Sequence, residues 1–417
     1  MNFSFPRPAL LLLTCMAVFL PLCQASGDQA ETAEDRGPVV VTDQARQIHQ
    51  SAIVIDGHND LPWELRKQGS ISFDPLDISK PQETLQTDIP RLREGGLGAQ
   101  FWSVYVPAST DGDGTALATT LEQIELVHAM LRRYPGTFEL ARTSDDVLRI
   151  HASGKIASLI GVEGGHSIEN SLSVLRQLYE LGARYMTLTH SDTLDWADSA
   201  TDEHRHGGLT PFGEDVVREM NRLGMLVDLS HVSPDTMKHA LRITRAPVIF
   251  SHSSARAIAD HPRNVPDDVL RLVAENGGVV MVNFYSSFIV PSSAAINIRR
   301  LAHGRELAKE IDDQAERKSA LRKWDIQNPV ERGTIHHLID HIDHIAQVAG
   351  AENVGLGSDY DGVSVLPTQL EDVSSYPLIT QALLDRGYEP EQIVQILGGN
   401  LLRVMKQAEQ VAQQPAE

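Results

Sequence analysis

Eight short apolar runs punctuate the chain, and each breaks off into polar residues. They occupy 52–56 (AIVID), 99–106 (AQFWSVYV), 157–163 (ASLIGVE), 185–190 (YMTLTH), 226–231 (LVDLSH), 247–252 (PVIFSH), 278–284 (GVVMVNF) and 353–359 (NVGLGSD). The runs are near-continuous rather than alternating and rich in β-branched residues, which suits strands of a parallel sheet covered on both faces. Between them lie stretches with helical spacing of apolar positions, at 172–181, 211–223, 234–243, 266–275 and 334–349. Two of these open on a cap followed by proline, Thr210-Pro211 and Ser233-Pro234. Eight rounds of strand and helix predict an α/β fold, a (β/α)8 TIM-type barrel over 48–410. An open doubly wound sheet would ordinarily carry a glycine-rich phosphate turn after its first strand, and no G-x-G-x-x-G occurs there.

One segment breaks the rhythm. Residues 291–329, with a charged helical stretch at 299–323, predict a helical insertion between strands seven and eight. It reads as an excursion near the active-site mouth or as a dimer contact, and a homodimer is expected. The segments 375–387 and 390–407 read as closing helices, and no internal repeat is visible beyond the strand-helix alternation.

The N-terminus follows a different pattern. Arg7 precedes an apolar run at 9–22, and Cys23-Gln24-Ala25 offers a small-x-small cleavage site. Residues 1–25 therefore read as a signal peptide, and the run is too short for a membrane span. Export across an inner membrane into a periplasm is expected. The alternative is a lipoprotein acylated on Cys23, to which Leu22 is a poor fit. Residues 26–47 read as a linker, polar and poorly ordered to about Thr42. Both cysteines, Cys15 and Cys23, fall in the leader. A chain processed near Ser26 then has no disulfide and no thiolate, so any metal ligands are His, Asp or Glu.

The charge narrows the partners. A formal net charge of -20 argues against nucleic acid and against anionic membrane surfaces. With no apolar C-terminal tail, no stable membrane anchor is expected.

Chemistry gathers at the carboxyl ends of the runs, where barrels place their functional groups. The first run ends in His58 and Asp60, an H-x-D pair whose side chains share one face if the strand continues. The third ends in Glu163, the fourth in His190, the fifth in His231, the sixth in His252 and the eighth in Asp359. One such histidine is ordinarily a satisfied core residue, but metal-competent groups at this many strand ends point to a metal centre. His58, Asp60, Glu163, His231 and His252 make five ligands, and a bridging carboxylate plus a bridging water lets five serve two ions.

The motifs VIDGHND, GVEGGHS, LTH, DLSHVS, FSHSSAR, RNVPDD and GSDYDGV, in this order over about 48–405, resemble the membrane (renal-type) dipeptidase family, zinc enzymes of the amidohydrolase superfamily. The resemblance implies two Zn2+ ions, one on His58 and Asp60, the other on His231 and His252, with Glu163 bridging. It implies His190 and Arg263 as substrate ligands and Asp359 as the acid/base residue. It also implies hydrolysis of dipeptides, L-L and also L-D, by a metal-bridging hydroxide, with His190 helping to stabilise the oxyanion. Arg263 would then hold the substrate's C-terminal carboxylate; its alternative is an ion pair with Asp267 or Asp268. Mammalian members are disulfide-bonded and lipid-anchored. The chain departs from them in its cysteines, its C-terminus and its longer 291–329 segment, and so resembles a bacterial secreted branch.

Two other functions remain in view. A lactonase, cyclic amidase or phosphotriesterase relative commonly has H-x-H on strand one and a modified lysine as bridge, where this chain has H-x-D and Glu163. A non-catalytic binding protein would not need a complete ligand set. Among other residues, His337, His341 and His344 share a helix face with His336 nearby; a solvated face is the expectation, with a zinc site as the alternative. His204 and His206 read as exposed loop residues, with a lid as alternative. His166 reads either as a partner orienting Glu163 or as packing. Trp63, Trp102 and Trp196 read as pocket lining or barrel filling.

Overall fold

The computed structural model describes residues 1–4, 32–33, 35–68, 73 and 76–414. Residues 5–25 of the leader, with its candidate cleavage site and Cys23, lie outside the described residues. Among those described, nine strands form one sheet: β1 (Val54–Asn59), β2 (Leu97–Tyr105), β3 (Phe138–Leu140), β4 (Ile156–Glu163), β5 (Ala183–Thr187), β6 (Leu226–Asp228), β7 (Ile249–Phe250), β8 (Val279–Val282) and β9 (Val354–Leu356). Eight of them close a parallel barrel, because β2 pairs with β4 from Ala99–Ala157 to Tyr105–Glu163 and β9 returns to β1 at Asp56–Leu356. The expected eight runs are these eight strands. The ninth, β3, pairs with the opening residues of β4 on the edge that β5 takes over further along. Three residues carry too little periodicity to stand out in a sequence.

Alternation along the strands sorts the core into two layers. Ile55, Phe101, Leu159, Tyr185 and Met281 belong to one cluster, inside the barrel. Val54, Trp102, Ile160, Met186 and Val280 belong to the other, between strands and helices. Both faces are therefore covered, and β1 and β4 are buried at every position. The helices Pro211–Leu223 and Pro234–Ile243 start where the sequence places them, with Thr210 accepting from Gly213 N and Ser233 from Thr236 N.

The insertion lies between β8 and β9, the seventh and eighth barrel strands. It holds two helices, Pro291–Glu310 and Gln314–Gln327, where the sequence suggested one charged stretch. Asp313 interrupts that stretch by capping the second helix at Glu316 N (2.7 Å). The first helix leans on the mouth loops: Arg305 donates to Thr201 O (2.8 Å), and Asn297 meets His261 (3.1 Å).

The linker reading fails at its C-terminal end. Val39 is buried, its N–H and C=O paired with the amide of Gln369, and Asp43–Ser51 is a helix capped by Thr42. Its composition is polar, but Ala45 and Ile48 give that helix an apolar side that docks on the barrel. At the other end, the expected helix 390–407 is Pro390–Val394 and Asn400–Ala412, joined by one wide turn at Gln395–Gly399.

Candidate metal centre

The first ligand pair meets by a different route from simple strand alternation. Between Asp56 and Asn59 the ladder takes three steps along β1 for two along β2, from Gln100 to Trp102. This bulge turns His58 towards the barrel axis. Gly57 makes it feasible, since a Cβ there would lie 2.7 Å from Ser251 O. Asp60 is no longer strand; it stands at the N-cap position of the helix Leu61–Lys67 with its carboxylate left out of the cap. The two side chains still converge, with His58 Nε2 3.2 Å from Asp60 Oδ2.

Glu163, the last residue of β4, stands at the centre. Its Oε2 lies 3.5 Å from His58 Nε2 and accepts from Ser103 Oγ (3.0 Å). Its Oε1 lies 3.1 Å from His231 Nε2 and 3.5 Å from His252 Nε2. Burial alone pushes the Glu163 pKa up, yet the charge of His58 and the contact with His231 outweigh it and hold the carboxyl well below its ordinary range. His231 and His252 are both held well below the ordinary imidazole value, chiefly by burial and further by Arg263. They are therefore neutral, each with one ring lone pair to offer.

The lone pair of His252 can be located. Ser251 Oγ donates to Asp228 Oδ2 (2.6 Å), so it accepts from His252 Nδ1–H at 2.8 Å. Nε2 then faces Glu163 and His231 as a lone pair. On the other side of the cluster, His58 Nδ1 meets Tyr185 OH (2.8 Å), while its buried Nε2 has no hydrogen-bond partner. Against burial, the charges of Tyr185, Glu163 and Asp60 hold the His58 pKa well above its ordinary value, so a bound cation would displace the proton at Nε2; with the His252 lone pair and the carboxylates this is the donor set of a divalent cation site. Among the described residues, three groups have ligand atoms within 4.8 Å of one another: His58–Glu163–His252, Glu163–His190–His231 and His58–Asp60–Asp359. They overlap at His58 and Glu163, so the ligands form one continuous cluster.

Asp359 follows β9 and is buried, with φ 64°, and His231 has φ 68°. Non-glycine residues adopt this left-handed backbone at a cost of order 1 kcal/mol, and such strain gathers at functional sites. Burial, aided by the charges of Asp60 and Glu163, pushes the Asp359 pKa well above the ordinary carboxylate value. Gly362 packs against the cluster at a position where a Cβ would fall on both Asp60 Oδ2 and Asp359 Oδ1.

A cavity of about 350 Å³ opens on these groups, at the small end of ligand pockets. His190 and Arg263 both line it. Burial lowers the His190 pKa to about 4, so the ring is neutral; its Nδ1 pairs with Ser191 Oγ (2.7 Å) and its Nε2 lies 3.6 Å from Glu163. The buried Arg263 donates from Nη2 to His252 O (3.3 Å), and its Nη1 has no hydrogen-bond partner. Burial brings its pKa down to about 10, which leaves it charged at neutral pH. The alternative ion pairs are excluded, because Asp267 pairs with His344 and Asp268 with Lys238.

The remaining candidates divide. His341 is fully buried, accepting from Ala255 N at Nδ1 and facing Ile289 O with Nε2, and His337 is buried as well; the solvated-face reading is corrected for both. Apolar neighbours at Leu338 and Ile342 turn that face inward. His204 is exposed, while His206 is half-buried against Leu194 O. His166 binds Val106 O, not Glu163. Trp102 and Trp196 fill the core, and Trp63 lines the cavity with Tyr105, its ring 5.0 Å away. Ser103, Tyr185, Ser251, Asp228 and Asn283 were not visible as functional. Each is a polar residue inside a buried apolar run or at its end, but its partner lies on another strand.

The family model for membrane dipeptidase (peptidase family M19) matches residues 42–417. Dipeptidase 3 of Mus musculus is 41% identical over 374 residues, spanning 88% of this chain and 67% of the mouse protein, and Dipeptidase 3 of Rattus norvegicus is equally similar over 68% of its length. Among solved structures, the probable dipeptidase PvdM of Pseudomonas aeruginosa superposes with a TM-score of 0.75 at 24% identity, over 88% of this chain and 98% of that one. A metallo peptidase from Rhodobacter sphaeroides, liganded with a phosphinate mimic of the dipeptide L-Ala-D-Ala, superposes with a TM-score of 0.71 at 24% identity, over 86% and 99%.

Proposed function

Given that the chain belongs to the membrane dipeptidase family, peptidase family M19, and is thereby a metallodipeptidase, we propose that it hydrolyses L-L and L-D dipeptides with two zinc ions as cofactor. The observation that carries this reading is the placement of Glu163, one oxygen towards His58 and the other towards His231 and His252. In this reading His58 and Asp60 would hold one ion and His231 and His252 the other, with Glu163 placed between the two pairs. When bound, the ions acidify water towards neutral pH and polarise the scissile carbonyl.

The chain's own groups do the rest. Asp359 takes a proton from the attacking water at Oδ1, the oxygen that Asn283 leaves free, and passes it to the leaving amine. His190, neutral and facing the cavity, donates to the oxyanion as charge develops there. Arg263 offers its unpartnered Nη1 to the substrate's C-terminal carboxylate, a charge-assisted contact. With the carboxylate and the scissile carbonyl both held, the span between them admits one residue after the cut.

The test pairs metal analysis with turnover. Two zinc ions per chain and cleavage of L-L and L-D dipeptides are expected, with tripeptides, lactones and phosphotriesters turned over poorly. A protein that binds no divalent metal, or that prefers a lactone or phosphotriester, contradicts the reading.

A further inference from the structure

The insertion between β8 and β9 touches the loop that carries Arg263, and the contact passes through one histidine. His261 is fully buried. Its Nδ1 lies 3.1 Å from the backbone N of Arg263, and a backbone N–H only donates. Nδ1 therefore accepts, the proton sits on Nε2, and Nε2–H donates to Asn297 Oδ1 at 3.1 Å. Asn297 belongs to the inserted helix Pro291–Glu310 and is buried. Burial, with the nearby charges of Arg263 and Arg256, brings the His261 pKa down to about 3, so this proton pattern holds throughout the neutral range.

The short helix Ser286–Ile289, immediately before the insertion, grips the guanidinium. The His261 ring packs on Phe288 at 4.6 Å, and the Arg263 guanidinium lies over the same ring at 5.4 Å. Asn264, next in the loop, donates to Phe288 O (2.7 Å). Arg263 thus has its backbone fixed by His261, which Asn297 ties to the insertion, and its charged end set on Phe288, just before it. By contrast, Nη1 is left without a partner. This is the arrangement of a cation held in place for a ligand.

We infer that Asn297 and His261 are positioning residues for Arg263, through which the inserted helix sets how well the enzyme holds the carboxylate end of its substrate. The inference rests on Arg263 being the carboxylate anchor. A displaced guanidinium weakens the charge-assisted contact and leaves the metal ligands where they are. The effect therefore falls on KM for substrates with a free carboxylate. Loss of one buried hydrogen bond in the relay corresponds to about a 5- to 10-fold change.

The experiment compares L-alanyl-L-alanine with its C-terminal amide in zinc-loaded, full-length protein. Asn297→Leu removes the acceptor in a similar volume, and Asn297→Asp keeps an acceptor. Asn297→Leu should raise KM for the dipeptide and lower the dipeptide-to-amide ratio of kcat/KM about 5- to 10-fold, with unchanged zinc content. Asn297→Asp should preserve the ratio. An unchanged ratio in folded Asn297→Leu overturns the relay. If that variant does not fold, Asn297→Ala carries the same expectation, and failure of both to fold overturns a positioning role in favour of a structural one. Arg263→Met separates the two levels. If it erases the ratio while Asn297→Leu does not, only the relay falls; if it leaves the ratio intact, the carboxylate reading falls and the relay with it.

Discussion

Asn283 Nδ2 donates to Asp359 Oδ2 across 2.8 Å, joining the ends of two neighbouring barrel strands. This bond presents the other carboxylate oxygen to the metal cluster. Asp359→Asn should lower kcat by about 10²- to 10⁴-fold, the usual worth of a general acid/base. Asn283→Leu should keep the zinc content and lower kcat about 10-fold through misorientation alone. Zinc analysis beside steady-state kinetics checks both, and normal turnover in Asp359→Asn would remove it from the proton path.

Glu163 is the carboxylate that faces both His58 and the pair His231 and His252. Glu163→Gln keeps its shape and loses its charge. It should lose zinc on dialysis against a weak chelator and retain under about 1% of kcat, since in the proposed site that charge would serve both ions. Two tightly held ions together with ordinary turnover in this variant would rule out the bridge.

Gly362 stands where any Cβ would press on Asp60 and Asp359 together. Gly362→Ala should therefore weaken zinc binding about 10- to 100-fold, as displaced ligand partners commonly do. The melting temperature of the metal-stripped protein should change little. A zinc titration followed by competition with a chromophoric chelator measures this, and unaltered affinity would show that the cluster yields freely.

His341 makes a pH prediction away from the metals. Its folded pKa is lowered to about 4, first by burial, against an ordinary 6.5. The unfolded chain therefore binds a proton near pH 6.5 that the folded chain refuses until about pH 4. The stability contribution is complete above pH 6.5 and is lost as pH falls towards 4, by about 3 kcal/mol in all. Urea midpoints from pH 7.5 to 5 should fall in the unmodified protein and fall less steeply in His341→Gln. Equal slopes would place the acid sensitivity elsewhere.

The sequence by itself determined the eight strands, because each is a near-continuous, β-branched apolar run, as burial on both faces requires. It also placed His58, Asp60, Glu163, His190, His231, His252 and Asp359 at strand ends, since in this fold chemistry follows the end of the run. Only the tertiary structure decided how those groups meet. His58 and Asp60 converge through a bulge at Gly57, a local register change that depends on how β1 pairs with β2. The partners that orient them, Tyr185 for His58 and Asn283 for Asp359, come from distant parts of the chain. Hydrogen bonds of this kind have no periodicity, so they leave no mark on a single sequence. The histidines of the helix Ile335–Ala349 show the same limit: helical spacing told which of them share a face, but whether that face meets water or the Ala255 loop was settled by packing. The grip of the insertion on His261 and Arg263 is likewise a contact between segments, and it arises only once the barrel has closed and brought them together.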